Sequence, residues 1–186
     1  LESRKLLNDA LHRDLRVVAN LQPGSWLTNN ADSAKFLRVG RDGKPLAKKN
    51  VAPSFPELQK FGFNVGASLT QTFGDSPALE AALINSELRS SYSDISHHPH
   101  EREAFRKHAG FDIPDLVNSR WGVAHAKLDS VTEDRVIPDD DPVYTYYKWF
   151  WKQGDGWNDF NSAIHNGLKS TGRKDLWTFF DPAVRV

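Results

Sequence analysis

The segment from Asp75 to Arg89, DSPALEAALINSELR, constrains the fold more than any other. A turn signal, Asp75-Ser76-Pro77, leads into the mostly apolar run Ala78 to Ile84, which ends in a polar cluster of Asn85, Ser86, Glu87 and Arg89. So short and continuous an apolar run suits a strand covered on both faces, as the strands of parallel sheets are. Such sheets present their chemistry at the carboxyl ends of the strands. The reading is a buried strand from Ala78 to Glu87 that delivers a carboxylate to its mouth. The plain alternative is a core strand that ends in a solvated polar loop.

Composition narrows the classes around this strand. The 186 residues, 39% hydrophobic and 26% charged, are those of a soluble domain with a sizeable core. Lys+Arg and Asp+Glu balance at 24 each, so no overall field draws the chain to nucleic acid or to an anionic membrane. No apolar run approaches the ~20 residues that span a bilayer, and LESRKLLNDALHRDL has no signal-peptide hydrophobic region. Without cysteine, neither disulfides nor thiolate metal sites are available. A chain that starts at Leu1 and holds no methionine is expected to be processed or excerpted from something longer. Tyr144 to Trp157 holds three Tyr and three Trp, either a large core or a stacking surface.

Taken in order, Leu1 to Asp14 has the apolar spacing of an amphipathic helix, and Leu15 to Leu21 reads as a strand closed by Gln22-Pro23-Gly24. Residues 22 to 53 read as a long loop, with a short hairpin possible around Asp42-Gly43. Trp26, just past the strand end, is a loop anchor or a binding residue. Ser54-Phe55-Pro56-Glu57 has the spacing of a capping box, so a helix is expected from there to Gly74. Gly62 and Gly66 weaken that helix and mark close packing against a neighbour. Residues 88 to 141 read as an insertion of loop and short helices, one from Glu101 to His108 and another from Asp112 to Trp121. Asp139-Asp140-Asp141-Pro142 caps a helix through Trp151, Trp157 to Leu168 resumes it, and Leu176 to Phe180 is a third strand ending at Asp181. Helices alternating with strands predict an α/β fold with a parallel sheet and right-handed crossovers.

Among candidate chemistries, Asp94, His97, His98 and His100 could hold a zinc-like ion, but no second ligand pair stands at a defined spacing. No metal or other cofactor is expected, and the three histidines are the candidates should a metal be used. The Asp139-Asp140-Asp141 run lacks the ligand spacing of a calcium loop, and Gly154-Asp155-Gly156 lacks the lysine of a phosphate loop. No nucleophile elbow and no dinucleotide fingerprint occurs. What remains is Glu87 beside Arg89, at a mouth shared with Trp26 and Asp181. A carboxylic acid in an apolar mouth keeps its proton near neutral pH and can act as a general acid, while aromatic faces hold sugar rings.

Three segments in succession carry a resemblance: GDSPALEAALINSE, EREAFRKHAGFDIPDLVNSRWG and DPVYTYYKWFWKQGDGWNDFNSAIHNGLK. Together they look like the middle of a clan A glycoside hydrolase barrel, most similar to the β-galactosidase-like family 42. The resemblance covers about Val51 to Asp181. It implies a partial (β/α)8 TIM barrel containing about strands three to five, with several extra helices after the middle strand, and a single incomplete domain over residues 1 to 186. It places Glu87 on the general acid/base and makes Trp26, Asn85, Ser86, Arg89, Trp121 and Asp181 candidate substrate contacts. The family usually has asparagine immediately before the glutamate, where this chain has Ser86. Cysteine zinc ligands found in the family's following loop are absent here.

A full barrel takes ~250 residues. The second catalytic carboxylate is therefore expected outside this chain, which alone should be inactive. The implied partners are a glycoside or oligosaccharide and the remainder of the barrel, with soluble, secreted or periplasmic placement. The competing expectations are a non-catalytic carbohydrate-binding or degenerate barrel, motivated by Ser86, and a metal-dependent hydrolase using the histidine loop.

Overall fold

The Ala78 to Ile84 run does form the centre of a sheet. Strand β2, Leu79–Leu83, lies between β1, Val17–Asn20, and β3, Trp177–Phe179, in a parallel sheet of order β1-β2-β3. The structure is a computed structural model and describes residues 2–47, 50–85, 95–113, 139–140, 142–150 and 157–180. At this level the expected α/β fold is observed. β2 is shorter than the expected Ala78 to Glu87: it leaves the ladder after Ile84, whose N–H donates to the Phe179 carbonyl at 2.8 Å. Asn85 is the last described residue of the segment, so Ser86, Glu87 and Arg89 lie outside the described residues, as do Trp121 and Asp181.

The chain divides into two compact units. The first comprises Leu1–Leu27, Pro56–Leu88 and Phe160–Val186 and contains the sheet. Its helices are α1, Glu2–His12, and α3, Pro56–Phe73, with most of α6, Trp157–Lys169, and the start of α2, Pro23–Asn29. The crossover helices α3 and α6 meet backbone to backbone. A Cβ on Gly66 would run into the Ile164 carbonyl and lie 2.8 Å from the Leu168 nitrogen, and one on Gly167 would run into the Phe63 carbonyl. A Cβ on Gly62 would lie 3.0 Å from Ile164 Cγ1. The expected close packing at Gly62 and Gly66 is therefore present, and α6 answers it with a glycine of its own. Right-handed connections between parallel strands in unreversed order place their helices on one side of a sheet, and the contact of α3 with α6 fits that arrangement. That side carries Thr178, whose hydroxyl is 2.7 Å from His165 Nδ1 on α6.

On the other face the flanking strands carry exposed apolar side chains. Val18 and Trp177, the register partners of Ala81 on either side, are 53% and 75% exposed, and Phe179 is 45% exposed. At the amino edge, Arg173 donates to the carbonyls of Gly74, Ser76 and Leu79, tying the turn before β3 to the start of β2. Helix α1 forms where expected, but of its apolar residues Leu7 is buried while Leu6 and Leu11 are exposed.

The second unit comprises Thr28–Phe55 and Arg89–Asp159. Its described elements are a 3-10 helix at Ala31–Phe36, α4 at Pro99–Ala109, α5 at Pro142–Lys148 and paired segments around Asp42-Gly43. The expectation of a long loop over residues 22 to 53 is corrected. Pro23 starts α2, the side chain of Asn30 caps the 3-10 helix through Asp32 N–H, and Leu37 and Val39 bridge antiparallel to Val51 and Pro45. Gly43 turns that hairpin with a φ of 74°, which a residue with a side chain adopts only with strain. Helix α5 and the two residues after it deliver Tyr146, Trp149 and Phe150 to a buried cluster with Phe105, with ring centroids 5.5 Å apart for Phe105 and Tyr146. For these residues the aromatic run is core.

Inside this core Arg38 and Glu101 are buried together, Nε to Oε1 at 3.6 Å. Arg38 also donates to the Tyr146 hydroxyl at 3.2 Å and lies over the Phe150 ring. Burial pushes the Tyr146 phenol above its ordinary pKa, with the Arg38 charge opposing the rise. The capping box at Ser54 is corrected too. Helix α3 begins at Pro56, which makes Phe55 the N-cap, and the buried Ser54 hydroxyl has no hydrogen-bond partner among the described residues. Tertiary contacts override the local signal: the Ser54 carbonyl lies 3.2 Å from His100 Nε2, and Phe55 stacks on the His100 ring at 4.0 Å.

Candidate functional site

The three strands run out together at one edge. Leu21 N–H donates to Leu83 O at 3.0 Å and Ile84 N–H to Phe179 O at 2.8 Å, so the carboxyl ends near Leu21, Asn85 and Phe180 are neighbours. Ligand sites of parallel α/β sheets form along this edge. Immediately beyond β1, Gln22 holds a φ of 35°, a strained left-handed backbone for a residue with a Cβ. Such strain concentrates at functional segments.

Asn85 sits two residues past β2 and is only 5% exposed. Its Nδ2 donates to Oδ1 of Asn161 at 2.6 Å. Asn161 lies early in α6, the crossover that descends from this edge to β3, and is 6% exposed. Its own Nδ2 is buried without a hydrogen-bond partner among the described residues. Sequence reading had Asn85 among the candidates and missed Asn161, because an Asn within a helix reads as a solvated position. The signal that could have found it is the apolar stripe Phe160, Ile164 and Leu168, all fully buried, beside which Asn161 falls.

Trp26 belongs to α2 rather than to a loop. It is 57% exposed and stacks on Phe61 of α3, with centroids 5.2 Å apart and planes inclined by 14°. The expectation of an anchor packed beneath a loop is thereby corrected: a residue on a short surface helix borders one neighbouring ring and keeps most of its area in water. Of the sequence candidates, the described ones on the sheet-bearing unit are thus Asn85 and Trp26.

The histidines belong to the second unit. His98 caps α4: its Nδ1 accepts from His100 N–H at 3.1 Å, and its Nε2 is 3.1 Å from the Lys35 carbonyl. The first contact requires a bare Nδ1 and the second a protonated Nε2, so one neutral tautomer serves both and neither nitrogen has a lone pair left for a metal. Nε2 of His100 faces the Ser54 carbonyl and must donate to it. Among the described residues no group of three or more His, Asp or Glu is placed to hold a metal ion.

His97 and His98 border a cleft of about 690 Å³ with Gly40, Arg41, Arg102 and Asp112. There the Arg102 guanidinium, aided by Ile113 N–H and Arg106, holds the Asp112 carboxyl well below the usual carboxylate range. Asp112 was expected to cap a helix running to Trp121. Residues 114 to 138 lie outside the described ones, and what Asp112 does visibly is bind Arg102 and Arg106, one turn apart on α4. Searches against protein-family models, characterised proteins and solved structures find no match to this chain.

Proposed function

We propose that the chain is the central part of a glycoside hydrolase of the (β/α)8 barrel type, with Glu87 as the general acid/base. What supports the reading is the unreversed parallel order β1-β2-β3, with α3 packed on α6 and apolar Val18, Trp177 and Phe179 exposed on the outer strands. A doubly wound sheet covers both faces with helices. A barrel covers only the outer one and fills the inner one with side chains from its other strands. Val18, Trp177 and Phe179 then belong to the barrel interior, and the partner of this face is the remainder of the barrel.

In sequence, the hydrogen-bonded Asn85 is followed by Ser86 and by Glu87, the proposed acid/base. Glu87 would protonate the glycosidic oxygen as the bond to the sugar breaks. A second carboxyl group is required about 5 to 5.5 Å away for retention of configuration, or about 6.5 to 9.5 Å for inversion. The exposed ring of Trp26 supports sugar binding. The test is hydrolysis of aryl glycosides by the full-length protein with and without Glu87→Gln. We expect loss of turnover with retained sugar binding, and equal turnover would overturn the assignment. Binding without turnover in the unmodified protein would instead favour a non-catalytic carbohydrate-binding barrel, which the exposure of Trp26 also fits.

A further inference from the structure

We infer that the cleft beside α4 binds a small organic anion, a carboxylate or phosphate ester on a short apolar body, with Arg41 and Arg102 receiving its charge. The volume of about 690 Å³ lies within the range of small-molecule sites, roughly 300 to 1,000 Å³. Arg41 and Arg102 border this one cleft together with Asp112, the single carboxylate among its described lining residues. Binding there does not require that Glu87 be a catalytic acid.

The walls are tied to each other by the protein's own backbone. His97 N–H donates to the Val39 carbonyl at 2.8 Å, which joins the hairpin to the segment leading into α4. Within the hairpin, Gly40 N–H donates to the Lys44 carbonyl at 2.9 Å. Arg102 is held in place as well: its Nε donates to Asp112 Oδ1 at 3.1 Å and its Nη2 to Oδ2, a bidentate pair that sets the plane of the guanidinium.

What the border offers a ligand is donors. Asp112 already accepts four hydrogen bonds, Oδ1 from Arg102 Nε and from Ile113 N–H at 2.8 Å, Oδ2 from Arg102 Nη2 and from Arg106 at 3.1 Å. A carboxylate has about four lone-pair positions, so this acceptor is filled. Both ring nitrogens of His98 are spent on Lys35 and His100. A guanidinium, in contrast, carries five N–H donors and no acceptor. The pair with Asp112 engages Nε and Nη2 of Arg102, while Nη1 has no partner among the described residues and the side chain is 44% exposed. A group that only accepts, such as a carboxylate or a phosphate, matches this border, whereas an ammonium would find its one carboxylate already saturated. The donors are the arginines and not the amino end of α4, where Pro99 has no N–H and the His100 N–H is taken by His98. Val39, Pro99 and Ile113 line the same cleft and give the apolar body of the ligand its contact.

The test is calorimetry on the full-length protein at low ionic strength with phenyl phosphate, benzoate and benzyl alcohol, which share a ring and differ in charge. At least one of the two anions is expected to bind, and the tighter one identifies the charged group as phosphate or carboxylate; benzyl alcohol should bind at least about 10-fold more weakly. Arg102→Gln should weaken the anion roughly 10- to 100-fold, and the exposed Arg41→Gln about 3- to 10-fold. Thermal unfolding establishes that each variant folds, and if Arg102→Gln does not, Arg41→Gln decides. No binding of either anion at millimolar concentration, benzyl alcohol bound as tightly as the anions, or unchanged affinity in the folded variants would overturn the inference.

Discussion

The two units reach a folded core by opposite means. In the sheet-bearing unit, shape decides: Gly66 of α3 and Gly167 of α6 bring two backbones together, and Ala81 and Ala82 keep the central strand slim. The second unit relies on large rings, Phe105, Tyr146, Trp149 and Phe150, packed around a buried ion pair. A glycine contact tolerates no added atom and demands little chemistry, whereas a buried Arg38 and Glu101 must both be present or both be absent. The first unit should therefore be sensitive to volume, and the second to charge.

The largest effect should come from splitting the ion pair. Arg38→Met leaves Glu101 buried without its cation and should cost about 3 to 5 kcal/mol, read from urea unfolding. Adding Glu101→Leu to it should recover most of that loss. A double variant as unstable as the single would show that the pair matters by shape and not by charge.

Next in size is Gly66→Ala, which should destabilise by about 1 to 3 kcal/mol by thermal unfolding, since the new methyl meets backbone that can yield only if α6 moves. At an exposed helical site the same change would stabilise by up to ~1 kcal/mol, so a gain at Gly66 would contradict the packing described.

A smaller effect separates the units by pH. The Asp112 carboxyl has a folded pKa below its unfolded value of ~3.9. Its contribution is therefore fully present above that value and is lost as pH falls through the folded pKa. Asp112→Asn should lower stability at neutral pH, and the difference from the unmodified protein should close as the solution is taken below about pH 4. A difference independent of pH would mean that the carboxylate charge is not what Arg102 and Arg106 bind. Smallest should be Trp26→Ala: an exposed ring stacked on Phe61 contributes no more than about 1.5 kcal/mol, while sugar binding falls if Trp26 is a platform.

What could be read from the sequence was what is local. The helix expected up to Gly74 is α3, the continuous run from Ala78 marked β2, and Gly62 and Gly66 announced a close neighbour. Helix α2 was hidden because Gln22-Pro23-Gly24 is a turn signal by composition, while Pro23 is in fact the first residue of a helix, where its missing N–H costs nothing. The capping box at Ser54 failed because contacts of Phe55 and the Ser54 carbonyl with His100 decide that turn. Arg38 with Glu101 and Asn85 with Asn161 were invisible for a common reason. Each is a polar residue that the sequence pattern assigns to water, and each finds its partner far along the chain, 76 residues away for the asparagines. Glu87 stood out by its place after the apolar run, and the described end of that run at Asn85 leads directly to it.

The central claim, a general acid at Glu87, is tested most directly by how its removal depends on the leaving group. With the full-length protein and Glu87→Gln, cleavage of alkyl glycosides, whose leaving oxygen must be protonated, should fall by about 100-fold or more. Cleavage of 2,4-dinitrophenyl glycosides, whose leaving group departs without a proton, should fall far less in its first step. Equal losses for both classes, or no loss for either, would contradict the assignment.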